Sequence, residues 1–162
     1  MPALNFLTMT DSNQYIRIAI DQAMKSSWPF GAVIVKDGEI VATAGSGDGI
    51  DYEHDPTAHA EVNAIRRASQ ELKTGNLEGA ILYASCEPCA LCFGATWYAG
   101  IKNIVYGTAL SEIGQINSLW GGDLAFPHEH IQETGVSVEG GVLKEEVMQM
   151  YQKYPRVLEL NI

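Results

Sequence analysis

Ser85-Cys86-Glu87-Pro88-Cys89-Ala90-Leu91-Cys92 contains every cysteine of the 162-residue chain. Three thiols packed this closely cannot staple a fold, and an odd count leaves no full set of pairs, so chemistry is the better use for them in a reducing compartment. The same segment organises the chain around it. Pro88 suits the first position of a helix and Gly100 its end, which predicts a helix over 88–100. The short apolar runs on either side, 79–85 and 102–108, read as strands. Further upstream, Asp55 and Pro56 open a predicted helix over 55–73. Before that, two β-rich runs flank Asp37-Gly38, a strong hairpin-turn signal. A first helix is predicted over 10–27, capped by Thr10 or Asp11, with Ile16, Ile20, Ala23 and Met24 on its apolar side. Residues 135–155 add a short strand and a last helix stopped by Pro155. The alternation of strands and helices after the hairpin predicts an α/β sandwich with parallel strands, in one domain spanning residues 1–162.

Composition sets outer limits. Ten Lys and Arg against twenty Asp and Glu leave a net charge of −10, with no basic tract that would hold a phosphate backbone. A nucleic-acid partner is therefore disfavoured. No run of 18 apolar residues is present, and the N-terminal stretch lacks the basic start and compact apolar centre of a secretory signal, so a cytoplasmic protein without a membrane partner is expected.

A Cys-x-x-Cys pair alone reads either as a redox dithiol or as half of a metal site. Cys89 and Cys92, three apart on a helix, present both sulfurs on one face. The partner that decides lies in His59-Ala60-Glu61, near the start of the preceding helix. Glu61 heads a stripe continued by Ile65, Ala68 and Leu72, so it should face inward, where a carboxylate is costly without a partner. One imidazole and two thiolates suit a tetrahedral zinc ion, one per chain, with a fourth position left for water. His59, Cys89 and Cys92 are the expected ligands, and Glu61 stands beside them. Two helix starts meet there, and their positive ends favour thiolates. Cys86 precedes the helix and reads as a small buried residue under the metal loop. As a fourth ligand it would close the site.

His-Ala-Glu, 26 intervening residues and then Pro-Cys-Ala-Leu-Cys resemble the H-x-E … P-C-x-x-C signature of zinc nucleobase deaminases. The resemblance runs from about Pro29 to Thr108. Segments 55–66 and 85–100 look most like the guanine deaminases of the cytidine deaminase-like superfamily. The tRNA-adenosine deaminases are similar but usually carry Thr-Leu-Glu-Pro-Cys where this chain has Ser-Cys-Glu-Pro-Cys. Membership implies a three-layer α/β/α fold, a five-stranded mixed sheet and a homodimer. It also implies hydrolytic deamination of a small nucleobase, guanine first, with cytosine, a nucleoside or tRNA adenosine as alternatives and a non-catalytic zinc-stabilised module as a third reading. In that chemistry Glu61 shuttles protons, and the Cys89 backbone N–H faces the charge of the tetrahedral intermediate. Relatives usually place an asparagine at the end of the second hairpin strand to contact the base. Here Ser46 takes that place counted forward from the strand, and Asp48 takes it counted back from His59. Phe30 is expected to wall the pocket. Trp120 and Asp123 are expected to close it over a stacked base, or Trp120 to lie in the core.

Overall fold

The computed structural model describes residues 9–48 and 54–154. Its elements are α1 (Met9–Lys25), β1 (Trp28–Lys36), β2 (Glu39–Ser46), α2 (Ala60–Leu72), β3 (Ala80–Cys86), α3 (Ala90–Tyr98), β4 (Asn103–Thr108), α4 (Leu110–Ile116), β5 (Ser137–Glu139) and α5 (Lys144–Lys153), with two short 3₁₀ turns at His128–His130 and Gln132–Thr134. The strands form one five-stranded sheet in the order β2-β1-β3-β4-β5. β1 pairs antiparallel with both β2 and β3, whereas β3–β4 and β4–β5 are parallel, so the sheet is mixed as the strand–helix alternation requires.

The two-residue period of the strands sorts the core into two layers. Val33, Val35, Tyr83 and Val105 pack with α1 and α5 through Ile16, Ala19, Val147 and Tyr151. Their neighbours Ala32, Ile34, Leu82 and Ile104 pack on the opposite face with Ala60, Ala64 and Ala68 of α2 and Phe93 of α3. This is the α/β/α sandwich. At 25 cal/mol per Å², burying one such Val or Ile side chain stabilises the fold by about 1.5–3 kcal/mol. The β1–β2 turn is built as its sequence demands. Asp37 and Gly38 both take positive φ, 53° and 80°, the primed geometry that matches the twist of the strands. Gly31 answers a different need. A Cβ there would lie 1.9 Å from the Ala19 carbonyl oxygen, so only glycine lets α1 press against β1.

Several expected boundaries move. α1 already runs at Met9, which puts Asp11 inside its first turn. Its buried side is Tyr15, Ile16, Ala19 and Ala23, and Met24 is exposed. α2 begins five residues after Asp55, because that carboxylate is engaged locally. Asp55 Oδ1 accepts from the Thr57 amide at 2.9 Å and from the Thr57 hydroxyl at 2.6 Å, a tight turn that leaves His59 as the helix N-cap. α3 likewise starts after Pro88, with Cys89 as its N-cap. Leu72, the last member of the predicted α2 stripe and the last residue of the helix, is 38% exposed. Residues 49–53, between the hairpin and Asp55, and Pro155, expected to stop the last helix, lie outside the described residues.

Candidate metal centre

β3 ends at Cys86, and the chain turns through Glu87 and Pro88 into α3. That places the N-cap of α3 beside the N-cap of α2. His59 has extended backbone angles (φ −65°, ψ 152°), as does Cys89 (φ −67°, ψ 175°). A side chain at an N-cap leans off the helix end, so these two meet, and Cys92 joins them from the first turn of α3. His59 Nδ1 lies 3.6 Å from Cys89 Sγ and 3.4 Å from Cys92 Sγ, and the two sulfurs are 3.6 Å apart. A tetrahedral zinc with Zn–S of about 2.3 Å and Zn–N of about 2.0 Å holds its donor atoms about 3.5–3.8 Å apart, so the triangle has the right size for that ion. Among the described residues, these three form the group of donors with metal-binding geometry. Cys86 stays outside it.

Asn63 holds the two sides of this cradle in register. Its side-chain amide donates to the Gly45 carbonyl at 3.0 Å and to the Ala58 carbonyl at 3.1 Å, tying the end of β2 to the start of α2. The sequence carried no signal for it beyond its place two residues after Glu61.

Glu61 is 6% exposed, and its Oε2 lies 3.3 Å from Cys92 Sγ. Burial pushes its carboxyl up to about 7, with the charge on Cys89 adding to the rise and His59 opposing it. A hydrogen bond shared with Cys92 holds the Cys89 thiol down at about 4, against the effect of burial and with help from His59. At His59, burial disfavours the cation, but the bond to Cys89 and the charge of Glu61 prevail and hold its pKa at about 9. Burial also drives the Cys92 thiol well above its ordinary range. A divalent cation displaces the protons of such a set and gathers the same three donors.

A small recess with about 20 Å³ of free space, partly open to solvent, sits over the triangle. It is lined by Phe30, Ser46, Glu61, Cys86, Glu87, Leu110 and Asp123 together with His59 and Cys89. Of the expected contacts, Phe30, Ser46 and Asp123 therefore reach it, and Asp123 Oδ2 stands 3.9 Å from His59 Nδ1. Two others do not. Asp48 turns away to accept from the Gly45 amide at 2.8 Å and to pair with Arg67 Nη1 at 3.2 Å, so it closes the turn after β2 while Ser46 faces inward. Trp120 is core. It is 2% exposed, with its ring 5.8 Å from both Tyr151 and Tyr154. Glu87 and Leu110 line the recess without having been singled out. Glu87 could have been found from its place between Cys86 and Pro88, but Leu110 carried no signal.

Residues 9–108 match the cytidine and deoxycytidylate deaminase zinc-binding region, and the chain belongs to that family. Its metal is zinc, which the His59, Cys89 and Cys92 donor set fits. Guanine deaminase of Bacillus subtilis is 51% identical over 78 residues, which cover 48% of this chain and 49% of that protein. The chain thus spans about half the length of this relative. The tRNA-specific adenosine deaminase of Aquifex aeolicus is 34% identical over 110 residues, covering 65% of this chain and 72% of that protein. The solved structure of the Bacillus subtilis guanine deaminase superposes with a TM-score of 0.59 at 39% identity, covering 64% of this chain and 68% of that one.

Proposed function

We propose that this protein is a zinc-dependent aminohydrolase acting on a small free nucleobase, with guanine, converted to xanthine and ammonia, as the first candidate. The observation that carries this reading is the buried Glu61 carboxylate beside a three-donor metal triangle. A purely structural zinc site has no use for a carboxylate held 3.3 Å from one of its sulfurs.

When bound, zinc supplies the Lewis acidity that brings the pKa of a water to about 7. Glu61 would take a proton from such a water and hand it to a ring nitrogen of the base, then take the proton of the newly added hydroxyl and pass it to the amino nitrogen, which leaves as ammonia. The carbon gains an oxygen and loses its amino group. The backbone N–H of Cys89, at the N-cap of α3, is the donor assigned to the developing charge. Phe30 flanks the ring, and Ser46 and Asp123 are the groups within reach of its edge.

Charge supports a free base over a phosphorylated substrate. Glu61, Glu87 and Asp123 bring three carboxylates to the recess, and among the described residues no Lys or Arg lines it. Such a wall repels phosphate and accepts N–H donors, and guanine presents adjacent donors of that kind. A second reading, adenosine in tRNA, is favoured by the greater share of this chain that its tRNA-acting relative covers. An ammonia-release screen over guanine, adenine, cytosine, their nucleosides and a tRNA anticodon stem separates the two. Guanine turnover with kcat/KM nearly independent of salt is expected. Fast, salt-sensitive deamination of the stem with guanine untouched would replace the substrate and keep the chemistry. A homodimer is part of the same proposal. α3 is apolar almost all round, and Leu91, Trp97 and Tyr98 are exposed on it. Sedimentation of the purified protein tests this.

A further inference from the structure

Glu87 has no part in holding zinc or moving protons, yet its carboxylate stands in the recess. A third acid there raises the cost of the other two, so its retention needs a cause. Its contacts supply one. The Glu87 amide donates to the Thr108 carbonyl at 2.8 Å, extending the β3–β4 ladder past Cys86. Its Oε2 accepts from the Leu110 amide at 3.1 Å, and its Oε1 meets Nε2 of His128. Leu110 lines the recess. His128 closes a strap, residues 122–128, that carries Asp123 to the recess and then crosses the start of α3.

The strap is fastened to the metal loop at further points. The Ala90 amide donates to the Leu124 carbonyl at 2.7 Å, and Cys89 forms a β-bridge with Ala125. Phe126 stacks on Phe93 of α3 with ring centroids 4.1 Å apart and planes 15° apart. Every one of these fastenings joins the strap to residues 87–93, the segment that also supplies Cys89 and Cys92. The wall that presents Asp123 is thus hung on the metal loop, and the Glu87–His128 pair is its outer fastening.

We infer that Glu87 is a positioning residue. Through His128 it holds the 122–128 strap against the metal loop, so that Asp123 and Leu110 stand where the base docks. It acts on substrate binding and leaves the metal and the proton shuttle alone. The inference rests on the deaminase reading for its kinetic test and on hydrogen exchange for a test free of that reading.

His128 has a side chain 63% exposed, so His128→Ala should fold normally. A lost charge-assisted hydrogen bond predicts KM for the base raised about five-fold, with kcat within about two-fold and zinc content unchanged. Glu87→Gln should behave alike, and the double variant should be no worse than the worse single one. His128→Gln, which restores a donor, should recover most of the loss. In the exchange experiment, His128→Ala should speed exchange in residues 122–128 and at the Ala90 amide, while α2 and β3 keep their protection. An unchanged KM, multiplicative effects in the double variant or unchanged exchange would overturn the tether, and so would loss of zinc from either single variant. If the wild type itself deaminates no base, the functional reading fails and exchange alone decides the tether.

Discussion

His59, Cys89 and Cys92 come to the floor of the recess from the starts of two helices packed on one face of the sheet, whereas Ser46, Glu87 and Asp123 come to its rim from three separate segments. The floor is rigid because its donors are N-caps or first-turn residues. Their directions follow once α2 and α3 are packed, and Cys92 is fully buried. The rim depends on side-chain fastenings, namely Asp48 with Arg67 on one side and Glu87 with His128 on the other. The floor should therefore decide whether chemistry happens at all, and the rim should decide what binds and how well.

The largest effect should come from breaking the floor. Cys92→Ser, or treatment of the wild type with a strong chelator, should remove zinc and take turnover below detection. Re-addition of zinc should restore the chelated wild type, as followed by metal analysis and ammonia release. An activity that survives complete zinc loss would end the metal-centred reading.

Next comes the one floor residue that is not a ligand. Glu61→Gln should lower kcat by roughly 10² to 10⁴ while the zinc content stays at the wild-type value. Zinc loss in this variant would show that the carboxylate serves the metal and not the proton.

The rim should respond more gently and in KM. Ser46→Ala removes the hydroxyl at the end of β2 and should raise KM by about ten-fold for a base that bonds to it, with kcat little changed. Equal losses for every base tested would make Ser46 a packing residue.

The smallest effect separates the two sides of the rim. Asp48→Ala removes the acceptor of the Gly45 amide and the partner of Arg67, and should cost about 0.5–1.5 kcal/mol in denaturant unfolding. Any loss of turnover should be small and shared by every base, because Asp48 faces away from the recess and only steadies the turn after Ser46. A selective loss on guanine would return Asp48 to the base.

The division between floor and rim is also the division between what could and could not be read from the chain. The sequence by itself determined the strand–helix order, the I′-compatible Asp37-Gly38 turn and the donor set. Each depends on short-range rules: a two-residue turn, apolar periodicity, Pro and Gly at helix ends, and donors three apart on one helix. His-Ala-Glu paired with a Cys-x-x-Cys was specific enough to join segments some thirty residues apart, because few other uses suit that combination. Even there the helix starts were misplaced. Asp55 and Pro56 satisfy a local rule for a helix cap, and the Thr57 contacts that divert Asp55 into a turn are equally local but weaker as sequence signals.

Only the tertiary structure decided the rim. Whether Ser46 or Asp48 faces the recess turns on the register of β2 and on Arg67, which reaches Asp48 from the middle of α2. Trp120 went to the core because Tyr151 and Tyr154 of the C-terminal region wait there for it. Glu87 and His128, 41 residues apart, meet because β4 and α4 bring the strap back over the metal loop. Contacts of this kind are set by which surfaces the packed sheet brings together, and a linear pattern holds no record of that until the layers are assembled.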